Sequence, residues 1–143
     1  MGVSPPPASC QAGVTSVGMS GQGSVAAGEV PSETIQYVQV QTTTDSRVEA
    51  MELARAAVEE RLAACAQVAG PIASTYWWED GIERAEEWLL MLKLPATGYE
   101  ALADFLARRH SYDEPEIIAT PIIAGSDAYL GWITEETRPA RQP

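Results

Sequence analysis

Residues 65–94 read CAQVAGPIASTYWWEDGIERAEEWLLMLKL, and the fold turns on how this stretch is laid down. Asp80-Gly81 is hairpin chemistry, because both residue types tolerate the positive φ that a tight turn between twisted strands requires. Ahead of it, the β-rich run from Cys65 to Trp78 is interrupted by Gly70-Pro71. Proline cannot donate to a ladder and glycine accepts unusual angles, so a bend or bulge is expected there. Behind it, the chain alternates and then becomes apolar on both faces from Leu89 to Leu92, the mark of a strand covered on both sides. The stretch therefore predicts one long hairpin over about 65–94, with its far half buried.

Working outward, TIQYVQVQT supplies a first strand over 35–42, with Ile35, Tyr37, Val38 and Val40 as its β-forming residues. The period then changes. Val48, Met51, Ala54, Val58 and Leu62 fall three or four apart, which predicts an amphipathic helix with Thr44 or Asp45 as its N-cap. After the hairpin, Pro95 ends the strand. Thr97 is placed to cap a second helix carrying Tyr99, Leu102, Phe105 and Leu106, running to about Arg109. EIIATPII, residues 116–123, predicts a fourth strand of mostly buried type. SDAYLGWITEETR predicts a short terminal helix capped by Ser126 or Asp127, presenting Tyr129, Leu130 and Trp132 or Ile133 to the body.

The order β-α-β-β-α-β-α, with a central hairpin, specifies an α+β class: a ferredoxin-like βαββαβ sandwich with an additional C-terminal helix. Both main helices fall on one sheet face. The other face, apolar along the third strand, then calls for cover, which self-association supplies. Residues 1–34, rich in Gly, Ser, Pro and Ala, bury too little apolar area to fold and predict a disordered N-terminal tail. The domain is expected over 35–137, with a flexible C-terminal tail at 138–143.

Nine basic against 20 acidic residues give a formal charge of −11, which repels phosphate backbones and anionic lipid and attracts cations, so neither nucleic acid nor membrane is expected as a partner. Without a long apolar span or a secretory leader pattern, the cytoplasm is the default compartment. Cys10 and Cys65 form no CxxC pair, which argues against structural zinc or a disulfide framework. No Gly-rich phosphate loop or nucleophile motif is present, so neither an organic cofactor nor catalysis is expected.

One segment concentrates chemistry: RRHSYDEPEII holds the only histidine, His110, followed by Tyr112, Asp113, Glu114 and Glu116. An imidazole with carboxylates suits a weak mixed N/O site for a divalent cation. Pro115 opposes this by holding Glu114 extended, so that successive carboxylates diverge. A histidine that merely ends the second helix, near its last carbonyls, explains the position equally well. Alternatively, Lys93, His110, Tyr112 and Glu116 would line a cleft between subunits for a small anion or metabolite, with the half-buried thiol Cys65 in the same cleft and Trp77 or Trp78 as a wall. Trp77 and Trp78 are adjacent and face opposite sides of a strand, so at least one belongs to an interface. Tyr76 and Trp88 are assigned to the same contact surface.

LAAC at 62–65, YWWEDGI at 76–82, LLMLK at 89–93, HSYDEPEIIATPI at 110–122 and YLGWI at 129–133 together resemble the CutA family of divalent cation tolerance proteins. The resemblance spans about 35–137. It implies a compact homotrimer, similar in architecture to PII signalling proteins, in which the long hairpins reach across to neighbouring subunits. It also implies association with a divalent metal ion, copper among them, with His110, Glu114 and Glu116 as candidate ligands. A PII-like signalling or scaffold trimer that binds a metabolite between subunits is the alternative. Two departures stand out. Ser111 occupies a position where the family commonly has proline, and Thr42-Thr43 and Arg109 stand where copper-binding relatives carry a cysteine and a second histidine. A soft thiolate and one imidazole are therefore missing.

Overall fold

A computed structural model describes residues 34–139. The tail expectation for 1–34 falls almost wholly outside these residues, as do positions 140–143. Within the described range the order is β1 (Tyr37–Thr44), α1 (Arg47–Glu59), β2 (Cys65–Trp78), β3 (Gly81–Pro95), α2 (Tyr99–Arg109), β4 (Ile118–Ile122) and α3 (Asp127–Glu136), with a 3-10 turn at Ala96–Gly98 before α2. The four strands form one antiparallel sheet in the order β2-β3-β1-β4. This is the expected split βαβ arrangement.

The β2-β3 hairpin is the longest feature. Trp78 pairs with Gly81, so the turn residues are Glu79 and Asp80, both at positive φ (43° and 65°), one position earlier than Asp80-Gly81 implies. The register slips between Ala69 and Ile72, where Gly70-Pro71 interrupts the ladder opposite Trp88. A side chain at Gly70 would sit 2.7 Å from Trp88 Cδ1, so the glycine is needed for the close approach of the two strands. β1 pairs with β3 only as far as Trp88. Residues 81–87 and their partners on β2 therefore project as a two-stranded arm of about 23 Å, at some 3.3 Å per residue.

Alternation divides the sheet into two faces. Val38, Val40, Leu90, Leu92 and Leu94 point to one side and meet Leu53, Ala54 and Ala57 of α1 and Leu102, Phe105 and Leu106 of α2. Burying each large side chain contributes about 1.5–3 kcal/mol. The helix-α1 stripe differs from the expected one: the buried residues are Ala50, Leu53, Ala54 and Ala57, while Val48, Met51 and Val58 are exposed. The small alanines let the helix lie close on the sheet, so side-chain size set the orientation and the bulkier residues were left outside. Its N-cap is Ser46, whose hydroxyl accepts from Glu49 N–H, in place of Thr44 or Asp45. Helix α2 follows the 3-10 turn with Gly98 at its start, and Thr97 lies inside that turn instead of capping the helix.

Strand β4 is shorter than 116–123 and is an exposed edge, not a buried strand. Pro121 fits an edge, where one missing donor costs no ladder bond on the outer side. Across the sheet's second face lies α3, N-capped by Ser126 as expected. It buries Ile133 completely and joins β1 through Tyr37 Oη and Thr134 Oγ1 at 2.6 Å, while Tyr129 and Trp132 remain exposed.

Candidate functional site

His110 leaves α2 with extended backbone and turns its ring inward towards β1. Tyr112 N–H donates to Nδ1 at 3.1 Å, so Nδ1 carries a lone pair and the ring proton sits on Nε2. That proton faces Thr43 O at 2.9 Å and Thr42 Oγ1 at 3.1 Å. Because β4 pairs with β1 only as far as Gln41, the imidazole supplies a bond beyond the end of that ladder. Glu49 Oε1 lies 3.8 Å from Nδ1, but the nitrogen already accepts from Tyr112, which makes this a neutral contact and not an ion pair. Burial holds the imidazole below its ordinary pKa of 6.5, outweighing the upward pull of Glu49, the Thr43 carbonyl, Asp45 and Glu87.

Glu49 has its own task. Its two oxygens accept from Ser111 N–H and Ser111 Oγ, both at 2.8 Å, fastening the loop after α2 to the first turn of α1. The loop then presents Tyr112, whose ring lies 4.8 Å from that of His110 and whose hydroxyl donates to Glu87 Oε2 at 3.2 Å. Glu87 is 1% exposed. It shares a strand face with Leu89 and Met91, a carboxylate in phase with apolar neighbours, and that phase was the available sequence signal for it.

Around Glu87 lies a cleft of about 310 Å³, lined among others by Gln41, Thr43, Ile72, Tyr76, Leu89 and Glu116. The Glu116 carboxyl is raised above its usual range by burial, with a hydrogen bond to Gln41 opposing the shift and the charge of Glu87 adding to it. Neither Glu87 nor Glu116 takes part in a salt bridge among the described residues. Thr43, 5% exposed, has a hydroxyl that is buried and without a hydrogen-bond partner.

The residues singled out from sequence are thus distributed over separate places. Glu116 lines the cleft and Tyr112 borders it through Glu87, whereas Glu114 is exposed on the loop. His110 stands behind the cleft with both nitrogens engaged. Lys93 and Cys65 face each other across β3 and β2, six residues along the strand from Glu87. There Lys93 Nζ donates to Gln67 Oε1 at 2.6 Å and Cys65 bonds the Tyr129 side chain. Among the described residues, no three His, Cys, Asp or Glu side chains gather as a ready metal cluster. On the hairpin arm, Trp77 pairs across the strands with Ile82, both more than 60% exposed, while Tyr76, Trp78 and Trp88 are half-buried.

The profile of the family described as CutA1 divalent ion tolerance protein matches residues 38–136. The chain belongs to the CutA1 family. It is 38% identical over 110 residues to the chloroplastic CutA protein of Arabidopsis thaliana, covering 77% of this chain and about 60% of that protein's length. It is 37% identical over 95 residues to the divalent-cation tolerance protein CutA of Thermus thermophilus, covering 66% of this chain and 92% of that one. Among solved structures, the periplasmic divalent cation tolerance protein CutA of Archaeoglobus fulgidus superposes with a TM-score of 0.69 at 34% identity, over 71% of this chain and 99% of that one. The α+β fold, with its four-stranded antiparallel sheet and three helices, is that of CutA1 structures. The family's description names tolerance of divalent ions. No helix among the described residues is long and apolar enough to cross a membrane.

Proposed function

We propose that this chain forms a homotrimer of PII-like architecture and serves divalent cation tolerance by binding the cation weakly. Membership of the family carries the functional half of this reading. The assembly is supported by the hairpin arm, half of which has no third strand beside it and ends in the exposed Trp77–Ile82 pair. Burying side chains of this size against a second copy stabilises an assembly by about 1.5–3 kcal/mol each.

The cation finds its counter-charge in the cleft at Glu87 and Glu116. Copper(II), which the family resemblance suggests, would meet oxygen donors in this chain, because His110 is already bonded at both nitrogens and Cys65 lies at the far end of β3. The cytoplasm is the proposed setting; one relative is named chloroplastic and another periplasmic.

Calorimetric titration of the purified protein with Mg(II), Mn(II), Cu(II) and Zn(II), with Na(I) as control, tests the cation reading. Saturable binding of at least one divalent ion is expected. Heats no larger than those of the monovalent control would refute it.

A further inference from the structure

Resting on that reading, we infer that the divalent cation is a hard one, of the Mg(II) or Mn(II) kind, held by Glu87, Glu116 and the Thr43 hydroxyl in the cleft on the open face of the sheet. Three independent observations converge on this place.

The first is charge. Glu87 is almost fully buried and Glu116 half-buried in the same cleft, and no cationic side chain pairs with either among the described residues. A buried carboxylate without a counter-charge is costly, and two near each other more so. Glu87 Oε2 accepts from the Tyr112 hydroxyl, which anchors that carboxylate at the cleft wall. The Gln41 side chain stands beside the Glu116 carboxyl in the same cleft.

The second is the orphaned Thr43 hydroxyl. A buried, unpartnered hydroxyl costs roughly 1–3 kcal/mol in a folded protein unless something binds it. Thr43 lines the same cleft as the two carboxylates, and its backbone carbonyl is held from behind by His110. The backbone that carries this hydroxyl is therefore tied to the loop that also holds Tyr112 and, through it, Glu87.

The third is donor type and room. Every polar lining group here offers oxygen or an amide, with no sulfur and no free imidazole, a donor set that suits a hard ion such as Mg(II) or Mn(II). Three protein oxygens leave the rest of an octahedral shell to water. A cleft of about 310 Å³ has room for a partly hydrated ion.

Mn(II) added to the full-length protein, followed by loss of the free-ion EPR signal, tests the assignment. One Mn(II) per chain is expected. Glu116→Gln should weaken it about tenfold or more and the near-isosteric Thr43→Val several-fold, with circular dichroism unchanged, while Glu114→Gln on the exposed loop leaves it within twofold. Equal weakening by Glu114→Gln and Glu116→Gln would reduce the effect to diffuse negative charge and overturn the site, as would a Thr43→Val protein that binds like the parent. Saturable Cu(II) binding without Mn(II) binding overturns the cleft but leaves the cation reading intact. Absence of binding by every divalent ion overturns both.

Discussion

Replacing His110 with leucine isolates what the buried imidazole does. The substitution keeps an apolar body of similar size but removes the acceptor for Tyr112 N–H and the donor to Thr43 O and Thr42 Oγ1. The Thr42 hydroxyl can rotate towards another partner; the two backbone groups cannot. Leaving a buried backbone group unpaired costs about 1–3 kcal/mol, so the pair amounts to about 2–6 kcal/mol. Partial entry of water and the apolar gain of leucine bring the expected loss to about 3 kcal/mol. Urea unfolding at one fixed protomer concentration measures it, since association would otherwise shift the midpoint. Thr42→Val, which removes a single hydroxyl, should cost no more than about 1 kcal/mol by the same scale. A His110→Leu protein within about 0.5 kcal/mol of the parent would show that the imidazole is not a structural tie between β1 and the loop.

Other perturbations give equally definite expectations. Because the folded-state pKa of His110 lies below 6.5, the unfolded chain takes up its proton first as pH falls, so the contribution is complete above about pH 6.5 and is lost towards the folded pKa, by at most about 1.4 kcal/mol per pH unit. The stability gap between the parent and His110→Leu should therefore narrow below that pH, and a pH-independent gap would contradict the assignment; taking the difference cancels Glu116, whose raised pKa acts in the opposite direction. Gly70→Ala should destabilise by about 1–3 kcal/mol, because the new methyl meets Trp88 Cδ1 at 2.7 Å and Glu87 O at 3.1 Å, and an unchanged unfolding midpoint would count against that packing. Ser46→Ala should cost about 1 kcal/mol through loss of the α1 cap, with Asp45→Ala near neutral; the reverse order would return the cap to Asp45.

The hairpin was legible because its information is local: a turn signal, a proline-interrupted ladder and an apolar run on both faces all lie within residues 65–94. The terminal helix was legible at its start for the same reason, since Ser126 sits immediately before it. Helix α1 was harder. Two stripes of similar period compete, and only the closeness of the sheet selects Ala50, Leu53, Ala54 and Ala57 over Val48, Met51 and Val58. Strand β4 reads as buried because Ile117, Ile118, Ile122 and Ile123 are apolar, yet strand order leaves it at the edge.

The site shows the same division. His110 and Tyr112 stand out in a short polar motif, but what the imidazole does depends on Thr43 O, 67 residues earlier in the chain. Glu87 carries no motif at all. It is one of several glutamates in ERAEE, and its burial follows from strand phase together with a tyrosine 25 positions away. Lys93 and Cys65 were grouped with Tyr112 by type. The register of β2 on β3 pairs them with each other and sets them well along the strand from the carboxylate cleft.

Sedimentation velocity on dilute full-length protein bears most directly on how the open sheet face and the hairpin arm are covered. A single folded species of three times the chain mass is expected, with Trp77→Ser weakening the association. A stable, folded species of one chain mass, unchanged by that substitution, would contradict the assembly.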